Sequence, residues 1–178
     1  MKRGTKEKNQ RIISIILRYA IIILLAIFFP LFYLIFAPLT IYPVSFFLNI
    51  FYKVGIDHMT LIVNQGFINL VDACIAGSAY FLLILLNLSV PNMKKRFLAV
   101  SFEISSFLVL NIIRIAILSI LFLSNFAYFM QAHLISWYFL TAIIVILIWI
   151  ATIKIFKIKE IPFYSDFKLL RKLAKNRR

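Results

Sequence analysis

Several residue types are scarce in this chain, and each scarcity removes a class of function. There is one cysteine, Cys74, in 178 residues, so no disulfide can close within the chain. Two histidines and six acidic residues leave few metal ligands, and no ligand-spacing motif joins them. There are four glycines, and no Walker, HExxH or GxSxG pattern appears, so the usual signatures of phosphate loops, zinc peptidases and serine hydrolases are missing. No internal repeat or low-complexity tract is present.

What remains is largely apolar. Hydrophobic residues make up 63% of the chain, and mean hydropathy is +0.99. Soluble domains run near 45–50% apolar. The sequence therefore predicts an integral membrane protein built as one module, residues 1–158, with a basic amphipathic tail, 159–178. The formal net charge of +14 does not point to nucleic acid, because the basic residues gather at the ends of apolar runs.

Four spans of ~20 residues are expected: Tyr19 to Phe36, Ala73 to Val90, Phe97 to Phe122 and Leu134 to Ile153. Pro30 is expected to kink the first, and Arg18 to snorkel at its edge. The basic stretch before this span imitates a signal peptide. The apolar run is too long for that and no small-residue cleavage site follows, so it reads as a retained span. Of the 20 Lys and Arg residues, 18 fall in residues 1–18, the loop 94–96 and the tail from Lys154. Lys53 and Arg114 are the exceptions. The positive-inside rule then places both termini in the cytoplasm.

Segment 38–71 falls on the opposite, outer side. Val44 to Val54 reads as an interfacial helix. Thr60–Val63 and Phe67–Val71, around Asn64-Gln65-Gly66, read as a hairpin. Ser165 to Arg178 reads as a basic helix on anionic headgroups. The fold class expected is all-α: a compact bundle of about four transmembrane helices, with an outer interfacial helix/hairpin segment and a basic cytoplasmic tail helix.

Arg114 interrupts an otherwise apolar span. A guanidinium at mid-membrane costs roughly 2.5–3.5 kcal/mol on insertion scales, so its default reading is functional. It lies ~12–14 Å below the outer end of its span. Cys74 opens the second span and His133 the fourth, both on the outer side. Three reactive groups from three helices thus meet in the outer third of the membrane. Asn111, at i−3, shares the Arg114 face and either orients the guanidinium or offers a second donor. A thiol needs a base or a cation to become nucleophilic. His133 suits proton transfer, and Arg114 suits thiolate or oxyanion stabilisation. The chemistry expected is acyl transfer through a thioester.

Asp-Ala-Cys-Ile-Ala-Gly-Ser (72–78), Asn-Ile-Ile-Arg-Ile (111–115) and Gln-Ala-His-Leu-Ile-Ser-Trp (131–137) resemble the exosortase/archaeosortase family in order, spacing and placement. The resemblance covers about Gly55 to Ile150. It implies a membrane-embedded cysteine transpeptidase with no cofactor, in which Cys74 is the nucleophile and Arg114 and His133 are its catalytic partners. It also implies partners: exported proteins carrying a C-terminal sorting signal (motif, apolar helix, basic cluster), transferred to a lipid or surface acceptor. One departure stands out. Many members follow the cysteine with a small hydroxyl residue and then Gly, whereas here Ile75 and Ala76 precede Gly77-Ser78. The small size and Lys/Ile/Phe bias resemble a short archaeal member.

Plainer roles stand beside these. Cys74 alone reads as a packed small residue, His133 as an interfacial histidine, and Arg114 as a cation on helix-end carbonyls. Asp72 is a helix cap before it is a partner of His133 or of a substrate amine. His58 reads as a loop residue and Tyr80 and Tyr138 as packing or belt aromatics. Trp137 reads as an interface anchor. Glu103 is expected to meet Lys94, Lys95 or another cytoplasmic cation. A metal site from Cys74, His133, His58 and Asp72 conflicts with a neighbouring guanidinium. The competing function is a non-enzymatic assembly or anion/lipid-binding subunit that uses Arg114.

Overall fold

A computed structural model describes residues 2–63, 66–91, 93 and 95–175. Their order is α1 (Lys2–Ile27), α2 (Pro30–Leu48), β1 (Val54–Asp57), β2 (Thr60–Val63), β3 (Gly66–Asn69), α3 (Asp72–Ile75) and α4 (Gly77–Leu88). Then come α5 (Arg96–Leu123), α6 (Phe129–Ile135), a π-helical turn (Ser136–Leu140), α7 (Thr141–Phe156) and α8 (Tyr164–Lys175).

Four helical segments are long and apolar enough to cross a membrane: Gln10–Ile27, Pro30–Leu48, Arg96–Leu123 and Phe129–Phe156. Their outward faces expose rows of large apolar side chains, among them Ile23, Leu34, Ile117 and Leu147. A soluble monomer does not leave such continuous apolar surface open to water. The number of long segments matches the expectation, but their identity does not. The first expected span is two helices, because the chain breaks at Phe28–Phe29 and Pro30 opens α2, where its missing N–H costs nothing. The second expected span is short and broken, Asp72–Ile75 and Gly77–Leu88.

The interfacial helix expected over Val44–Val54 is absent. α2 runs through Pro38 and Pro43 to Leu48, as apolar membrane helices with packed neighbours allow. Val54 instead begins a strand. The mostly helical membrane fold expected is present, and the outer segment adds to it a three-stranded antiparallel sheet in the order β1-β2-β3. The expected hairpin is its second half, with Leu61 opposite Ile68 and Val63 opposite Gly66. Its turn residues Asn64 and Gln65 lie outside the described residues.

α5 is the axis of the molecule, and α2, α4 and α7 pack around it. It contains no Gly or Pro in 28 residues, so nothing in its sequence breaks it over ~42 Å. One apolar cluster centres on Tyr80, which stacks on Phe36 at 3.7 Å and meets the Phe107 edge at 4.8 Å between centroids. The other joins Ile41, Val44 and Leu48 of α2 to Leu61 and Val63 of β2 and to Ile112 and Ile115 of α5. The sheet thus packs on α2 and α5, beside the chain that leads into α3.

At the opposite end Arg18 is buried, not snorkelling. It bonds Asp166 Oδ1 of α8 at 2.7 Å and the Leu88 carbonyl at 3.1 Å. Arg96 donates to the same Leu88 carbonyl and to Val90. The basic tail helix is therefore anchored to the bundle by its one acidic residue. The tail residues 176–178 lie outside the described residues. Glu103 meets no cation among the described residues. It is fully buried and accepts from the Asn87 amide at 3.4 Å; Lys94 lies outside the described residues.

Candidate functional site

The site is built on a helix break. Ala76 sits in left-handed backbone, φ 56° and ψ 45°, between α3 and α4. An L-residue there costs roughly 1–2 kcal/mol relative to right-handed helix. Gly77 follows, and the ring of Tyr33 on α2 lies 3.0 Å from where a side-chain carbon would stand.

A break leaves carbonyls without the main-chain donors of a continuous helix. The carbonyls of Cys74 and Ile75 are in that position, and α5 supplies them. Asn111 donates its amide to Cys74 O at 3.0 Å and to Ile75 O at 3.4 Å. Arg114 Nη2 donates to Cys74 O at 3.1 Å. Asn111 and Arg114 lie three residues apart on one helix face, so the Asn-Ile-Ile-Arg stretch grips the turn that carries the thiol. Asn111 does not orient the guanidinium; it shares an acceptor with it.

Arg114 reaches a third element. Its Nη1 donates to Thr141 Oγ1 at 2.5 Å, and Thr141 donates to Ser136 O at 3.1 Å. Those two residues bracket the π-helical turn. Widened turns inside α-helices occur often at functional sites. Sequence periodicity gave no sign of the turn or of Thr141. Arg114 Nε is buried with no partner among the described residues, as is Ser136 Oγ.

Cys74, Arg114 and His133 wall one cavity of about 260 Å³. Cys74 is half-buried and Arg114 is 7% exposed. His133 comes from the second turn of α6 and lies 5.8 Å from the Phe129 ring between centroids. The expected convergence of these three residues on one space is therefore present. Trp137 lines the same cavity instead of only anchoring an interface.

Asp72 is placed elsewhere. It is exposed in the first turn of α3, while Val71 holds the cap position and no side chain caps the helix. Its carboxylate borders a second groove, with Tyr33, Ser78 and Thr141, and not the Cys74 cavity. It makes no hydrogen bond to His133 among the described residues. His58 is an exposed turn residue between β1 and β2, as expected. Tyr80 is a packed aromatic, as expected, while Tyr138 borders the second groove.

No family model, no curated protein and no solved structure matches this chain.

Proposed function

We propose that this protein is a membrane-embedded cysteine transpeptidase or protease that acts on C-terminal sorting signals of exported proteins at the outer membrane face. One observation carries the reading: a thiol, an imidazole and a guanidinium from three separate elements border a single cavity. The resemblance of the three sequence blocks to exosortases and archaeosortases supports it.

The chemistry is acyl transfer. The Cys74 sulfur forms a bond to a peptide carbonyl carbon, and the tetrahedral intermediate expels the amine as the C–N bond breaks. The thiol proton passes to His133 and then to that leaving amine. Water or an acceptor amine, a lipid headgroup among the candidates, releases the thioester. Arg114 keeps its charge, holds the turn beneath the nucleophile through Cys74 O and places a fixed cation beside developing negative charge. α1 from Arg18 onward and α2 together make one bent crossing, because Arg18 meets Leu88 and Asp166 at one end of the bundle and Leu48 meets the sheet and Ile115 at the other. The positive-inside rule then puts the termini on the cytoplasmic side and the sheet on the outer side.

Cys74→Ala abolishes processing of a sorting-signal substrate if this reading holds. Full processing by that variant would end it. The competing reading, an anion- or lipid-binding subunit, has less support, because both terminal nitrogens of Arg114 already serve protein acceptors.

A further inference from the structure

The cavity runs along one edge of the sheet. Five consecutive residues, Phe67 to Val71, line it, and no residue of β1 or β2 does. The strand order leaves β3 with one strand neighbour among the described residues. Its other edge carries main-chain groups that no strand meets.

The ladder identifies those groups. Leu70 donates its N–H to Met59 O at 2.9 Å, and Ile68 lies opposite Leu61. In an antiparallel pair, residues that exchange hydrogen bonds alternate with residues that do not. Ile68 therefore bonds across to Leu61, while Phe67 and Asn69 turn N–H and C=O toward the free edge. Both are exposed. The row continues to Val71, whose carbonyl accepts from the Cys74 N–H at 2.8 Å. The edge thus leads to the thiol.

Resting on the reading of Cys74 as a nucleophile, we propose that β3 binds substrate by strand addition. An extended peptide segment pairs with Phe67 and Asn69 and presents a carbonyl to Cys74. Ile115, Leu118 and Phe122 on the opposite wall take its apolar side chains. A lipid chain fits the same wall but leaves two N–H and two C=O groups unpaired in a low-dielectric space, which is unfavourable. A peptide backbone satisfies them.

The test uses the full chain in lipid nanodiscs and measures the alkylation rate of Cys74 by intact mass. Iodoacetamide reports the thiol alone. A capped apolar tripeptide chloromethyl ketone reports the thiol and the groove together. N-methylation of the probe amide that faces β3 slows labelling about tenfold, while N-methylation of the next amide leaves it within about twofold. Asn69→Pro, which removes one outward N–H and leaves the β2 ladder intact, slows the peptide probe similarly and leaves iodoacetamide unchanged.

Equal rates for both methylated probes overturn strand addition, and they do so without any variant that has to fold. Faster labelling by a dodecyl iodoacetamide than by the peptide probe assigns the groove to an acyl chain and also overturns it. If iodoacetamide labels Cys74 and the peptide probe does not, the groove excludes peptides. If neither labels Cys74, the nucleophile reading itself fails.

Discussion

Arg114 donates to the main-chain oxygen of Cys74, 3.1 Å away, and makes no hydrogen bond to its sulfur. The charge sits beside the thiol while the geometric work is done on the backbone. Asn111 makes the second bond to the same oxygen. A guanidinium in this position fixes the turn and polarises its surroundings at once.

Arg114→Lys should therefore be damaging even though charge is kept. A single ammonium does not replace the planar fork that spans Cys74 O and Thr141 Oγ1. Processing should fall at least tenfold, and thermal stability in nanodiscs should fall with it. Wild-type processing by this variant would reduce Arg114 to charge compensation.

Asn111→Ala should act mainly on stability. It leaves buried carbonyls at Cys74 and Ile75 short of a donor, a cost of about 1–3 kcal/mol. Chemical denaturation in mixed micelles measures it. Asn111→Asp should be no better, since a carboxylate offers no donor to a carbonyl. A neutral result for both would mean that the break satisfies itself.

Ala76→Gly should go against the usual trend for glycine in a helical region. The left-handed backbone at Ala76 is strained for alanine and free for glycine, by roughly 1 kcal/mol after the unfolded-chain entropy is counted. The melting temperature should hold or rise. A clear fall would show that the turn is not left-handed in the membrane.

Asp166→Ala should loosen α8. It strips the partner from Arg18 in a pair whose side chains are 8% and 2% exposed. Leaving one buried charge alone costs about 3–5 kcal/mol. Limited trypsin digestion should cut at Arg171 faster. Arg18→Met combined with Asp166→Leu should recover much of the protection, because no lone charge remains.

Orientation has its own test. A membrane-impermeant maleimide should reach Cys74 only from the outer side of oriented vesicles. Modification only from the side of the termini would reverse the topology.

The sequence alone carried the membrane character, the uninterrupted α5 and the meeting of Cys74, Arg114 and His133 around one space. These follow from composition, from a long apolar run without Gly or Pro, from one charge where lipid disfavours it, and from a thiol and an imidazole at the outer ends of two other apolar runs. Three-dimensional structure alone decided the rest. It decided that Asn111 and Arg114 serve a broken helix, that Thr141 completes the clamp, and that Arg18 is paired to Asp166 instead of reaching for water. It also added β1 to the expected hairpin, in place of an interfacial helix, and set the resulting sheet beside the thiol. The reason is physical: hydropathy and periodicity report how each segment meets lipid or core, whereas an unpaired carbonyl and its donor come from segments far apart in the chain and are matched only when they pack.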